Sequence, residues 1–348
     1  MANLQKEFIE FHDLIKLKID DENAKLKEKR DIILNRLSHK ISSDAKSYTH
    51  FNQGSYAMAT GIIPLAGEYD IDVGLWFDMS KDDIKPMAAK KWVYDALVNH
   101  TDEVCYKNPC VTVTYKENRE SKFHVDVTIY AVNNNDGKVY LAKGKPGSKE
   151  ENKKWEESNP KDLIELISEH FDDADDRKQF RRIIRFLKRW KDHKFTAGSA
   201  GKPTGIALTI CAYHHFTTSY NYDFFEQKKK YDDLAALEKF ISVIRGKFSP
   251  KYSFDNEGKL IVDYCMEILL PLSPYNDLFV KMTDHQMTNF YEKLGKLQDA
   301  LKEAKSEVDP VKAAEILEKQ FGDDFPIPPK PTTGKTQSRV IGTSNDSA

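Results

Sequence analysis

The stretch QGSYAMATGIIPLAGEYDIDVGLWF, residues 53–77, decides the fold. Its second half, YDIDVGLWF, alternates with the two-residue period of a strand: Ile71, Val73, Leu75 and Phe77 share one face, and Asp70, Asp72, Gly74 and Trp76 the other. The same rule applied to FHVDVTIYAV, residues 123–132, sends Phe123, Val125, Val127 and Ile129 one way and His124, Asp126, Thr128 and Tyr130 the other. Strands that pair with apolar faces together therefore bring Asp126 to Asp70 and Asp72. An Asp-x-Asp pair alone is common in an acidic chain and often simply faces water. A third carboxylate on an equally apolar strand changes the weight, because three of them repel and raise one another's pKa unless something neutralises them. A hard divalent cation is the usual neutraliser, and two such ions about 4 Å apart stabilise both the attacking and the leaving oxygen of an in-line displacement.

The first half of the stretch carries Gly54-Ser55, with fourteen residues between the pair and Asp70. Glycine lets the backbone approach a phosphate closely. A short helix after it, expected over 55–61, turns free amides toward an anion, and the Ser55 hydroxyl adds a donor. By itself a Gly-Ser dipeptide is a turn.

Around this stretch the chain changes character three times. Residues 3–39 carry apolar positions at helical spacing amid dense charge, which predicts one long or broken amphipathic helix. Between 68 and 142 the period is two, with CVTVTY and KVYLA as further strands and Asn133-Asn134-Asn135-Asp136-Gly137 as a hairpin turn. After a polar stretch at 143–160, helical periods dominate at 161–170, 175–194, 204–218, 231–245, 256–270 and 284–306. Residues 322–348 are rich in Pro, Gly, Ser and Thr and read as a disordered tail. With 53 Lys+Arg against 55 Asp+Glu, the net charge of -2 argues against a long-duplex nucleic-acid binder. No apolar run approaches the ~20 residues of a membrane span, and the start reads as no signal peptide. Cysteines 105, 110, 211 and 265 form no CxxC pair and no zinc spacing, so they read as reduced thiols in cytoplasm.

Together the Gly-Ser turn, the Asp-x-Asp strand and the later lone Asp resemble the polymerase-β-like nucleotidyltransferase superfamily, and within it the bacterial CD-NTases, relatives of cyclic GMP-AMP synthase and oligoadenylate synthase. The resembling pieces are residues 53–77, HVDVTIYA, RRIIRFLKRWK and PTGIALTICAYHHF, spread over about residues 51–216. The resemblance implies an α+β, bilobed fold: a nucleotidyltransferase lobe over 1–160, with a mixed sheet and an N-terminal brace helix, a helical lobe over 161–321 closing the nucleotide cleft, and the tail over 322–348. It implies that Asp70 and Asp72 ligate two Mg²⁺ ions, with Mn²⁺ as a substitute, and that Asp126 ligates the catalytic one and helps orient the attacking ribose hydroxyl. Gly54 and Ser55 would hold the donor's β and γ phosphates. Gln53 and Tyr56 flank that loop as nucleotide contacts, although a solvent-facing turn residue describes Tyr56 equally well.

Residues 177–194 form a basic helix whose buried stripe is Phe180, Ile183, Ile184, Leu187 and Trp190. By resemblance Lys188, two residues before Trp190, reaches the donor phosphates, and Thr204, after Pro203, contacts the donor from the next helix start. The other basic residues read first as a solvated face and second as a nucleic-acid groove. His214-His215 point about 100° apart on a helix, which disfavours a metal pair. Asn276 and Asp277 suit either a base contact or a helix cap.

The implied activity is synthesis of a cyclic oligonucleotide from nucleoside triphosphates such as ATP and GTP, with pyrophosphate released at each step. In bacteria that product acts as an antiphage alarm on a downstream effector, with no nucleic acid or membrane required. A template-independent RNA-tailing enzyme, a non-catalytic protein of the same fold and an antitoxin-like transferase remain the alternatives. The tail, ending in Ser347-Ala348, resembles those joined to other proteins by an E1/E2-like enzyme; an end with no role is the alternative there.

Overall fold

A computed structural model describes residues 2–17, 22–65, 68–117, 120–196, 198–199 and 201–330. The N-terminal charge-rich region is broken into α1 (Gln5–Ile15) and α2 (Glu22–Lys40). Then come β1 (Tyr48–Gln53), α3 (Gly54–Ala57), β2 (Tyr69–Phe77), α4 (Pro86–Leu97), β3 (Glu103–Tyr106), β4 (Cys110–Glu117), β5 (Glu120–Ala131), β6 (Tyr140–Ala142) and β7 (Trp155–Glu157). The second half holds α5 (Pro160–Ser168), α6 (Ala174–Lys194), α7 (Gly205–His215), β8 (Tyr220–Asp223), β9 (Lys228–Tyr231), α8 (Asp233–Arg245), β10 (Ser249–Phe254), β11 (Leu260–Cys265), α9 (Asp284–Ser306) and α10 (Pro310–Phe321).

The seven-stranded mixed sheet runs β1-β2-β5-β4-β3, with β6 and β7 continuing from β5. β2 and β5 are parallel, while β1–β2 and β4–β5 are antiparallel. The alternation in the sequence is realised: Ile71, Val73, Leu75 and Phe77 join Val125, Val127 and Ile129 in one core cluster. Leu26, Ile33 and Leu37 of α2 and Val93 and Leu97 of α4 complete it. Their burial covers one face of the sheet and leaves the carboxylate face to look the other way. At ~25 cal/mol per Å² of apolar surface, this burial is what holds the strand register that the acidic residues inherit.

The second cluster gathers α6, α7, α8, α9 and α10 around Phe180, Ile183, Leu187 and Trp190, the stripe expected from the sequence. Three expectations are corrected. The expected lobe 1–160 includes the N-terminal helix, yet Leu4, Phe8, Phe11 and Ile15 of α1 pack into the helical cluster, with Phe11 stacked on Phe186 of α6 at 5.2 Å. The tail does not start at 322: Phe325 is buried with its ring 5.1 Å from Phe11 and 5.2 Å from Phe8. Residues 331–348, including Ser347-Ala348, lie outside the described residues. The helix expected at 256–270 is instead the β10–β11 hairpin. There the Asp255 carboxylate accepts the Glu257 and Lys259 amides, and Gly258 takes φ +76°, closing a turn that a helical apolar count overlooks.

α6 and α8 are tied by a buried ion pair, Arg182 Nε to Asp233 Oδ2 at 2.6 Å and Nη2 to Oδ1 at 2.8 Å, with Gln179 also donating to Oδ1. Asp233→Ala leaves that guanidinium buried and unpaired, a defect that costs about 3–5 kcal/mol. Urea unfolding should show a loss of that size. A change below about 1 kcal/mol, the worth of an exposed pair, would mean that the pair does not secure α6 to α8.

Candidate active site

The parallel β2–β5 ladder sets Asp72 directly opposite Asp126 and Asp70 opposite His124. Because Asp70 and Asp72 are two residues apart, both lie on Asp126's side of the sheet. Asp126 Oδ1 accepts the Thr112 hydroxyl at 2.6 Å and lies 3.5 Å from the Lys107 ammonium. Gly54 opens α3 with φ +67°, and a Cβ built there would fall 1.9 Å from Asp72 Oδ2. Only a residue without a side chain lets this turn lie against the carboxylate. The helix after it is a single turn, shorter than the expected 55–61, and ends where the Thr60 amide donates to the Ser55 carbonyl at 2.9 Å.

These residues form one wall of a cleft of about 400 Å³ lined by Gly54, Ser55, Asp70, Asp72 and Asp126 on one side and by Lys188, Lys191, Gly205 and Thr209 on the other. Lys188 reaches across from α6, donating to the Thr60 carbonyl at 3.1 Å and hydroxyl at 3.0 Å. Its neighbours make the same crossing. Arg185 donates to the Gly61 carbonyl at 3.0 Å and the Ala59 carbonyl at 2.5 Å, and Arg189 to the Ile63 carbonyl at 2.8 Å. Arg185, Arg189 and Arg182 therefore depart from the solvated or nucleic-acid face expected for the basic helix: two are spent on backbone carbonyls of residues 59–63, the third on Asp233.

The two walls carry opposite charge, only partly compensated by Lys107 beside Asp126 at 3.5 Å and by Asp192 beside Lys191 at 3.2 Å. Burial, followed by the charges of Asp126 and Asp70, pushes the Asp72 carboxyl up to about 7; burial and then Asp126 raise Asp70 as well. Opposite them, burial and then the Lys191 and Arg185 charges pull Lys188 down to about 7, and burial lowers Lys191. An acidic wall facing a basic one accommodates a polyanion bridged to the acids by cations.

Of the residues expected from sequence, Asp70, Asp72, Asp126, Gly54, Ser55 and Lys188 come together here. Gln53 does not line the cleft: its amide is buried, donating to Thr128 and accepting from Tyr130, both at 2.9 Å, so it buttresses the sheet. Tyr56 packs against the sheet-side core. Thr204 caps α7 by accepting the Ala207 amide at 3.2 Å, next to Gly205 at the cleft. Asp277 Oδ1 accepts the Ile268 and Phe279 amides, a structural turn, and His214 bonds the Leu269 carbonyl. Sequence reasoning missed Lys191, although it stands one helical turn from Lys188, and it missed Thr60, whose contact is long-range.

Among the described residues no group of three or more His, Cys, Asp or Glu is drawn to the spacing of one filled metal site. The donor chemistry nevertheless fits a hard divalent cation. Three carboxylates share one face, two of them with pKa values raised by mutual charge as well as burial, and no soft ligand is among them.

The family model described as "Cyclic GMP-AMP synthase DncV-like, nucleotidyltransferase domain" matches residues 49–130, the span from β1 to the end of β5 that carries all three carboxylates. Residues 49–130 thus form a DncV-like nucleotidyltransferase domain. A curated Escherichia albertii protein described as a cyclic GMP-AMP synthase is 26% identical over 202 residues, covering 55% of this chain. The match spans 42% of that relative's length. The apo structure of Vibrio cholerae DncV superposes with a TM-score of 0.68 at 19% identity, covering 93% of this chain and 96% of that one. That of E. coli MS115-1 CdnC with ATP gives 0.66 at 17% identity, covering 92% and 98%. The fold of this chain is thus α+β and polymerase-β-like, with its mixed sheet ahead of a helical C-terminal part.

Asp72 yields a pH signature. Its folded pKa of about 7 exceeds the ordinary 3.8, so the folded chain keeps a proton that the unfolded chain releases. The stability this contributes is complete below the unfolded value and is lost as pH climbs through the folded one. Metal-free protein should melt at a falling temperature between about pH 5 and pH 8. Asp72→Asn should flatten that slope, and Mg²⁺ should restore more stability at the alkaline end than at the acid end. A wild-type slope kept in Asp72→Asn would place the titrating group elsewhere.

Proposed function

We propose that this chain is a bacterial CD-NTase that joins nucleoside triphosphates, ATP and GTP foremost, into a cyclic dinucleotide of purines such as cyclic GMP-AMP, releasing pyrophosphate at each step. The observation that carries this reading is the cleft in which Asp72 and Asp126, in parallel register, face Lys188 and Lys191 across a space of about 400 Å³. That the solved Vibrio cholerae DncV complexes are described with ATP and GTP supports triphosphate substrates for a chain of this fold.

Asp70, Asp72 and Asp126 would hold two Mg²⁺ ions, or Mn²⁺ in their place. Bound there, such ions would supply charge neutralisation for the triphosphate and for the developing oxyanions of an in-line transfer. The chain's own part is positioning and electrostatics. Lys188, desolvated and bonded only to the neutral Thr60, and Lys191, desolvated beside Asp192, favour the triphosphate over water, and Lys188 exchanges its bonds to Thr60 for phosphate oxygens. Gly54 and Ser55 let the β and γ phosphates approach Asp72, and Thr204 at the start of α7 contacts the donor from the helical side. Asp126, held by the Thr112 hydroxyl, orients the attacking ribose hydroxyl. Walls from both halves keep two nucleotides in reactive orientation.

In the cell this reading makes the protein a cytoplasmic antiphage signalling enzyme that acts on its effector through the product alone. An E1/E2-like enzyme is a candidate partner under this reading, and intact-mass analysis after co-expression with such an enzyme checks it.

Purified protein incubated with labelled ATP, GTP, CTP and UTP plus Mg²⁺ should give a phosphatase-resistant product whose mass names its bases. Asp126→Ala and Asp70→Ala should remove it, and Lys191→Ala should raise the KM for triphosphate about tenfold, the worth of one charge-assisted hydrogen bond. Product formed by Asp126→Ala at the parent rate would end the assignment. A product that phosphatase degrades, or elongation of added RNA, would point instead to the tailing alternative.

A further inference from the structure

Beside the acidic wall stands a lysine that the mechanism above does not use. Lys107 follows β3, and its ammonium, roughly half exposed, lies 3.5 Å from Asp126 Oδ1, the same oxygen that accepts the Thr112 hydroxyl. Burial works against its charge, but the Asp126 and Asp70 carboxylates outweigh that and raise its pKa.

The backbone from which Lys107 springs is held by a second lysine. Lys90 of α4 is fully buried, and its ammonium donates to the carbonyls of Lys107 at 2.7 Å, Asn108 at 3.0 Å and Gly144 at 2.6 Å. Three carbonyls take the three protons the ammonium has to give. The Asn108 side chain accepts the Gly144 amide at 3.0 Å, and the Lys107 amide donates to the Cys110 carbonyl at 3.0 Å. The β3–β4 turn is therefore braced from below, and the solvent-reaching part of Lys107 starts from a fixed point.

We infer that Lys107 is a built-in counter-cation of the cleft, which neutralises Asp126 while no divalent ion is bound and competes with that ion for the carboxylate. The inference rests on the proposed function in taking Asp126 as a metal ligand. A dication on Asp126 and an ammonium at its present distance are like charges at close range, and the ammonium must swing away for the ion to seat. The consequence is a lowered affinity for the free ion. The cation is then bound mainly together with a triphosphate, whose negative charge offsets the repulsion.

The test is Mn²⁺ binding to the full chain without nucleotide, read as loss of the free-ion electron paramagnetic resonance signal. Lys107→Gln should bind Mn²⁺ about three- to tenfold more tightly than wild type at low salt, as expected for removing one charge at this range. The gap should narrow as salt is raised, and Lys107→Arg, which keeps the charge, should match wild type. Equal or weaker binding by Lys107→Gln, with Asp126→Asn clearly weaker than wild type, would overturn the role of Lys107 and leave the metal site standing. Asp126→Asn binding Mn²⁺ as tightly as wild type would instead overturn the metal reading of Asp126, and this inference with it.

Discussion

The whole arrangement depends on the parallel pairing of β2 with β5, which sets two carboxylates against each other at Asp72 and Asp126. Like charges so placed are costly, and the apolar side of the same two strands supplies the compensation. Ile71, Val73, Leu75, Val125, Val127 and Ile129 are all at most 1% exposed, so a slip of one residue would bury aspartates and expose the core. Hydrophobic burial fixes the register, and the register imposes the repulsion that makes the cleft attractive to cations.

The opposite wall is built by a comparable trade. α6 places Arg185, Lys188 and Arg189 against backbone carbonyls of residues 59–63, where each cation gives up water for a hydrogen bond to a neutral group. Charged-to-neutral hydrogen bonds of this kind contribute about 1.5–3 kcal/mol each, and they join the helical half to the loop that links the Gly-Ser turn to β2. The lysines nearest the cleft then remain electrostatically hungry, Lys188 for burial and for its cationic neighbours, Lys191 chiefly for burial. A net charge of -2 over the chain conceals this local separation, with aspartates of the sheet and lysines of the helix lining one cleft.

Two buried amino groups illustrate how the same residue type serves different ends. Lys90 exhausts its three protons on carbonyls within the sheet half and is a brace. Lys188 makes its bonds to one residue, Thr60, across the cleft, and lines that cleft beside Gly205. Burial lowers the pKa of both, so the shift alone does not distinguish them; the geometry of the acceptors does.

By itself the amino-acid sequence determined the two-residue alternation of β2 and β5, the face on which Asp70, Asp72 and Asp126 lie, the Gly-Ser turn ahead of them and the apolar stripe of α6. These are local properties, set by the pleat of a strand and the pitch of a helix, and they survive in any tertiary context. The tertiary structure decided what depends on partners distant in sequence. It sent α1 and Phe325 into the helical core, turned 249–265 into a hairpin, withdrew Gln53 into the sheet through Thr128 and Tyr130, and directed Arg185 and Arg189 onto carbonyls more than a hundred residues away. The spacing of basic residues along a helix shows which face they share, but whether that face meets solvent, phosphate or backbone depends on what the rest of the chain packs against it.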